Sequence, residues 1–407
     1  FSAALDFDSY DVIAVNSNSR GMNAGEAYRT VRETIKRLEV KRRGCFFYKK
    51  IDSVLRGNPG EELAAVMDEL EMPLALAAPS FPANRSVMEH GLLSSGGNGT
   101  GASGPIDAVQ VFSRGINRKV GNIPLEEIRR GRRAVTEYIE THNAAGVQVF
   151  VADAVTDEDI NTIYRTAAGL GKPLILAGAA ALACHAARDF GGEKSGSPAA
   201  VSAAAPVRLP GQNNSVLVIA GTRRGETAAQ ITTLSRIMPV PIIRFKVDLV
   251  GMNKSEEAVD KAYHEAAVEM RKKAGLCIIA VESMFRAEIP LGNVDKKQVE
   301  GDETGEAISQ ALGILTRKLL DDFQFSVIIS TGGDTSLGIC RCLEIKGIEP
   351  VAEICPGIPV GRIAGGTHAR QYIITKSGRF GDKRSLLEIM DYLGLTKKNE
   401  MEKGLVP

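Results

Sequence analysis

The stretch Phe46-Phe47-Tyr48-Lys49-Lys50-Ile51-Asp52-Ser53-Val54-Leu55-Arg56-Gly57-Asn58 sets a short aromatic segment directly before Lys50, Asp52, Ser53, Arg56 and Asn58. Aromatic residues favour a pleated strand, which is expected to end near Lys50, where the polar residues begin. Gly57-Asn58-Pro59-Gly60 then forces a turn. From Glu61 to Glu71 the apolar positions Leu63, Val66, Met67 and Leu70 recur at helical spacing. The polar residues therefore lie in a loop that leaves a strand and enters a helix, where open α/β sheets bind ligands. Cations and an amide in one such loop suit an anion. The plainer reading is a solvated loop with an Arg-to-Asp surface pair, and spacing alone leaves both open.

Outward from this loop the same rhythm repeats. Asp11–Asn16 reads as a short buried strand, and Asn23-Ala24-Gly25-Glu26 as the cap of a helix with Val31, Ile35 and Leu38 on one face. Further strands are expected at Leu74–Ala78, Ala108–Phe112, Gln148–Ala152 and Leu174–Ala177, with helices at Leu125–Thr141 and Asp157–Gly169. Ser94–Gly104 is of low complexity and reads as a mobile loop beside the cleft of this first domain. Gly191–Asn214, rich in Gly, Ser, Ala and Pro, has no sustained period and marks a boundary. The alternation restarts beyond it, with strands at Val216–Ala220, Pro241–Phe245, Leu276–Val281, Val327–Ser330 and Tyr372–Thr375. Helices are expected at Thr227–Ile237 and Glu303–Phe323, the second with Ile308, Leu312, Leu315 and Leu319 on one stripe. The fold class is therefore α/β in two domains, 1–208 and 209–407, each a mainly parallel sheet flanked by helices.

Length supports two domains, because 407 residues exceed what one hydrophobic core usually holds. With 44% hydrophobic and 24% charged residues the composition is that of an ordinary soluble protein, and 42 glycines suit many tight turns. A net charge of +1 gives no pull toward nucleic acid, and no apolar run approaches a bilayer span. Neither nucleic acid nor membrane is an expected partner, and the expected location is cytoplasmic. Cys45, Cys184, Cys277, Cys340, Cys342 and Cys355 include no Cys-x-x-Cys pair and read as reduced, buried thiols. The five histidines lack metal spacing, and His368, in Gly365-Gly366-Thr367-His368, reads as structural. The basic run Lys36–Arg43 is explained by a solvated helix end. The chain opens Phe1-Ser2-Ala3-Ala4-Leu5, without a start Met or a signal-peptide layout, and native residues are expected upstream.

Chemistry in the second half gathers at glycine turns. Ser326–Ser330 runs into Thr331-Gly332-Gly333-Asp334-Thr335, with a helix expected from Ser336. Adjacent glycines let the backbone approach a phosphate, and freed amides at a helix start supply donors. Asp334 is placed to orient a magnesium ion or to cap the helix. Thr375-Lys376-Ser377-Gly378-Arg379-Phe380-Gly381 follows another strand, with Lys376 and Ser377 as phosphate contacts. Its spacing is not that of Gly-x-x-x-x-Gly-Lys-Ser/Thr. Gly221-Thr222-Arg223-Arg224-Gly225 is a third turn, and Cys355-Pro356-Gly357-Ile358-Pro359-Val360-Gly361 reads as a rigid loop able to lie against a flat ring. A tight turn with a capping Asp is the bland alternative for any one of them.

Together these segments resemble the four-carbon acid sugar kinases, which phosphorylate acids such as threonate, erythronate or 3-oxo-tetronate with ATP. The resemblance covers nearly the whole chain. It rests on Lys50, Asp52, Ser53, Leu55, Arg56, Gly57 and Asn58 for the acid-binding signature, and on Gly332–Thr335 in the nucleotide-binding half. Pro356, Gly357, Pro359 and Gly361, then Thr375–Gly378, Phe380 and Gly381, match two further segments of that half. Three departures stand out. No Asp-Asp-x-Thr-Gly turn precedes Asp11, Arg379 replaces a glycine, and Gly221-Thr222 stands where the family has Gly-Ser.

The resemblance implies in-line transfer of the γ-phosphoryl group of ATP, with Mg2+, to a hydroxyl of the acid, the terminal one being expected. It gives Lys50 and Arg56 the sugar carboxylate, Ser53 and Asn58 its hydroxyls, and Asp52 the attacking hydroxyl or its proton. Nucleotide contacts are expected from Gly221, Thr222, Thr331, Gly332, Gly333, Thr335, Gly357, Gly361, Lys376, Ser377, Gly378 and Gly381, with Asp334 at the metal. The domains are expected to close on each other, and a homo-oligomer is compatible with this reading. The alternative is a regulator that binds nucleotide or sugar acid on the same fold without catalysis. A dehydrogenase is disfavoured by the lack of Gly-x-Gly-x-x-Gly after the opening strands.

Overall fold

The computed structural model describes residues 10–39, 45–95, 104–191, 215–222, 225–272, 275–285, 302–355, 357–378 and 380–396. The chain forms two compact units, one of Val12–Ser195 and one of Gly196–Pro407 together with Phe1–Asp11. Most of Ser94–Gly104, the expected boundary at 208 and 209, and Arg223, Arg224, Pro356 and Arg379 lie outside the described residues.

The first unit contains β1 (Tyr48–Lys50), β2 (Leu74–Ala78), β3 (Ser86–Glu89), β4 (Leu92–Ser95), β5 (Ile106–Asp107), β6 (Lys119–Ile123), β7 (Val147–Ala152) and β8 (Leu174–Gly178). Five of them make a sheet in the order β1-β8-β2-β7-β6, parallel throughout. Side chains alternate across a strand, so β2 sends Ala75 and Ala77 to one face and Leu74, Leu76 and Ala78 to the other. The first face is covered by Val31, Leu63, Val66, Met67 and Phe112, the second by Ile139, Ile160, Ile163 and Leu182. Burial on both faces is why these strands read as continuous apolar runs. Strands β3, β4 and β5 form a separate antiparallel sheet.

The second unit contains β9 (Val216–Ala220), β10 (Ile242–Phe245), β11 (Leu276–Val281), β12 (Val327–Thr331), β13 (Gly347–Cys355), β14 (Ile358–Ala364) and β15 (Tyr372–Lys376). Their order is β10-β11-β9-β12-β15-β14-β13; the first five are parallel, and β14 and β13 close the edge antiparallel. The long helix Asp302–Asp322 buries Ile308, Leu312, Leu315 and Leu319 as its stripe predicts.

Several expectations are corrected. Asp11–Asn16 is not a strand, and Val12 is 80% exposed. A short apolar run becomes a strand only with a ladder partner, and this one has none among the described residues. Ala108–Phe112 belongs to the helix Ala108–Ser113, not to a strand. Asp107 caps it through the Gln110 N–H, and the buried Ala108, Val111 and Phe112 fall at i, i+3 and i+4. The expected helix Leu125–Thr141 is two helices, Leu125–Arg129 and Arg132–Ala144, broken at Gly131, where φ is +93°. Burial was expected for all six cysteines, but only Cys277 is buried, while Cys45 and Cys184 are exposed. Asn23 and Glu26 do form the expected capping box of the helix Ala24–Leu38. Among the described residues no helix is long and apolar enough to cross a membrane.

Candidate functional site

In the first unit, β1 ends at Lys50 and the helix Pro59–Leu70 begins nine residues later, so Ile51–Asn58 is the loop at the carboxyl end of a parallel edge strand. The loop is folded on itself by Asp52. Its Oδ1 accepts the Val54 N–H at 3.0 Å, and Arg56 donates from Nε at 3.2 Å to both oxygens and from Nη2 at 2.7 Å to Oδ2. Arg20 adds a second cationic neighbour at 3.7 Å. Burial disfavours the Asp52 carboxylate, but the Arg56 and Val54 hydrogen bonds and the charges of Arg56 and Arg20 outweigh it, leaving its pKa below the ordinary value. Lys50 is exposed as a residue, but partial burial of its amine lowers its pKa, with Asp52 opposing, and its Nζ donates to the Ile51 carbonyl at 2.6 Å. Asn58 Nδ2 donates to the Met22 carbonyl at 2.8 Å, which ties the loop to the segment before the first helix. The Ser53 carbonyl accepts from Ser86 Oγ at 2.8 Å.

Four of the five expected residues therefore share one loop, with Lys50 ending the strand that leads into it, and the Arg-to-Asp pair of the plainer reading is present. Arg56 keeps more than half its side-chain surface exposed while gripping Asp52.

In the second unit, Ala220, Thr331 and Lys376 stand side by side as register partners at the ends of β9, β12 and β15. The chain leaves β9 toward β10 on one side and returns in β12 on the other, so the Gly221 and Gly332 turns straddle the point where the strand order reverses. Gly332 takes φ +104°, a conformation that L side chains resist, and its N–H donates to the Lys376 carbonyl at 2.8 Å. The next helix starts at Gly333, three residues earlier than expected, so Asp334 and Thr335 stand in its first turn. Asp334 is exposed and does not cap the helix, whose N-cap is Gly332. Gly378 packs so closely on Thr222 that a Cβ would collide with it.

Lys376 is 2% exposed; burial pushes its pKa down to about 8 against the opposing charges of Glu226 and Cys355. Its Nζ donates to the carbonyls of Ser377 and Phe380, so the amine supports the turn from within. The expected loop Cys355–Gly361 is instead mostly strand: Cys355 ends β13, Ile358–Gly361 open β14, and Cys355 pairs with Ile358 across the hairpin. Gly357 lies against the Phe380 ring, so an aromatic ring of the chain itself occupies the place foreseen for a flat ligand there. Gly361 pairs with Ile373, three residues before Lys376, and packs on Ile348 away from the turns. Among the described residues no cluster of three metal-ligating side chains occurs.

Residues 2–186 match the family described as sugar-binding N-terminal domain, and residues 217–386 match the nucleotide-binding C-terminal domain. The first match contains the Ile51–Asn58 loop, and the second contains the turns after β9, β12 and β15. A D-erythronate kinase of Heliobacterium modesticaldum is 26% identical over 95% of this chain and 88% of its own length. A D-threonate kinase of Salmonella typhimurium is 25% identical over 94% and 89%. A 3-oxo-tetronate kinase of Pseudomonas savastanoi pv. phaseolicola is 27% identical over 93% and 86%.

The chain belongs to the four-carbon acid sugar kinase family.

A solved Haemophilus influenzae protein of the DUF1537 family shares the fold, with a TM-score of 0.63, 21% identity, and 92% of this chain and 87% of that one covered.

In this member of the family, sequence reasoning missed a buried polar group next to the Ile51–Asn58 loop. Glu62 accepts from Ser19 Oγ at 2.7 Å and from Lys49 Nζ at 2.6 Å, and both members of the ion pair are nearly buried. A glutamate in a first helical turn reads as an ordinary solvated acid, and only its place three residues after Pro59 in a buried helix marks it otherwise. Thr227 and Gln230, also missed, lie wholly buried behind the turn after β15.

Proposed function

We propose that the protein transfers the γ-phosphoryl group of ATP to the terminal hydroxyl of a four-carbon sugar acid: threonate, erythronate or 3-oxo-tetronate. The observation that carries this reading is the row of three turns after β9, β12 and β15, which meet at the strand-order reversal and bring a helix N-terminus with them. The kinase names of the relatives support it. A cytoplasmic location, where ATP is available, belongs to the same reading.

Phosphoryl transfer demands little covalent chemistry of a protein; positioning and charge neutralisation do most of the work. Gly332, Gly333, Thr335 and Gly378, with Gly221, Thr222, Thr331, Ser377 and Gly381 around them, are proposed to line the phosphate path. Gly357 and Gly361 act on it indirectly, through the hairpin against Phe380. Asp334 on the open first turn fits Mg2+, which when bound neutralises phosphate charge. Arg56 and Lys50 are proposed to take the acid's carboxylate, joined by Arg20, with Ser53 and Asn58 beside its hydroxyls. Asp52 is proposed to aim Arg56 and the attacking hydroxyl without taking its proton, because a carboxylate of depressed pKa is a poor base.

The test is ADP release on addition of each stereoisomer of threonate, erythronate and 3-oxo-tetronate. One acid should raise ADP release well above the rate with ATP alone; a flat response across the panel would leave nucleotide binding without a kinase.

A further inference from the structure

Four carbonyl groups of the turn after β15 are held by three buried donors. Thr227 Oγ1 donates to the Gly378 carbonyl at 3.0 Å. Gln230 Nε2 donates to the carbonyls of Phe380 at 3.0 Å and Asp382 at 2.8 Å. Lys376 Nζ donates to those of Ser377 at 2.9 Å and Phe380 at 3.0 Å. The N–H groups of Ser377, Gly378 and Gly381 meet no acceptor among the described residues. With the Ser377, Gly378, Phe380 and Asp382 carbonyls held in this way and the Phe380 N–H donating to the Ser377 carbonyl at 3.1 Å, the amides of Ser377, Gly378 and Gly381 are left to face a ligand, and free amides of one turn make an anion-binding concavity. Gln230 pays for this service with its own Oε1, which is buried without a partner.

We propose that Thr227 and Gln230, on the helix Gly225–Ile237, are positioning residues of the nucleotide site. With Lys376 they hold the carbonyls of the turn inward, so that its amides stand as a preformed cradle for a phosphate of ATP. The proposal rests on the kinase reading and deepens it. Gln230 suits the task because one amide nitrogen carries two hydrogens and spans two carbonyls; Met has similar volume and neither hydrogen.

The experiment compares the protein with Gln230→Met, Thr227→Val and Thr227→Ser, using calorimetry with ATP, tripolyphosphate and adenosine and steady-state kinetics for both substrates. Gln230→Met and Thr227→Val should each weaken ATP and tripolyphosphate binding about tenfold, the scale of one well-placed hydrogen bond. Adenosine binding and the KM for the acid should not change, and Thr227→Ser, which keeps the hydroxyl, should restore phosphate binding. Folded variants that bind tripolyphosphate like the parent, or that lose adenosine and acid binding in step with it, would overturn the proposal. Should Gln230→Met not fold, the Thr227→Val and Thr227→Ser pair decides alone. Failure of the parent protein to bind any nucleotide would instead remove the kinase reading, and the proposal with it.

Discussion

Arg56 reaches back four residues to Asp52, with Nη2 2.7 Å from Oδ2 and Nε 3.2 Å from both oxygens. The fork is fixed on one edge by the carboxylate while much of the side chain stays open to solvent. Asp52→Asn removes the charge that aims it. The KM for the acid should rise about tenfold, the equivalent of one charge-assisted hydrogen bond, with the KM for ATP unchanged. Arg56→Lys should do the same, because an ammonium cannot bridge two oxygens in a plane. Steady-state kinetics with each substrate varied in turn separates the two effects.

Lys49 and Glu62 form the other ion pair of this region, and it is nearly buried. Removing one partner strands the other's charge, so Lys49→Met should lower stability by about 3 kcal/mol. Replacing both, with Glu62→Met added, should recover most of that loss. Denaturant unfolding of the single and double variants measures the difference.

Gly332 sits at φ +104° between β12 and the following helix. Gly332→Ala must strain or move the turn, at a cost of roughly 1–3 kcal/mol. The same movement should weaken ATP binding about tenfold or more and leave acid binding unchanged, as read by calorimetry with each ligand.

How far the sequence disclosed this molecule depended on how local the signal was. The helix Asp157–Gly169 and the strands Leu74–Ala78 and Val216–Ala220 were legible to the residue, because capping residues and fully buried runs act within one segment. Ala108–Phe112 was misread because a five-residue run with four apolar residues suits a strand or a buried helix equally, and the deciding residue was the Asp107 cap just outside it. Asp11–Asn16 was misread because a strand needs a partner that its own residues cannot specify. The polar residues of the site were legible as loops, but their partners were not. Nothing near Glu62 announces Ser19, 43 residues away, and nothing near Phe380 announces Gln230, 150 residues away.

Lys376 gives the fold a pH dependence in the alkaline range. Its pKa is about 8 in the folded protein against 10.5 for an ordinary lysine. Between these values the unfolded chain holds a proton that the folded chain has released, so stability rises with pH across that window. Below about pH 8 both states are protonated and the cost of burying the charge is present in full. Urea midpoints from pH 7.5 to 10 should therefore rise more for the parent protein than for Lys376→Met, which lacks the titrating group; equal slopes would exclude this role.

The central claim is that one molecule joins an acid and a phosphoryl group. Phosphorus NMR of the protein incubated with ATP, Mg2+ and the acid that best stimulates ADP release tests it most directly. A new phosphomonoester resonance should appear, split by the protons of a terminal CH2 group and growing in step with ADP. Free inorganic phosphate as the only new signal would contradict it.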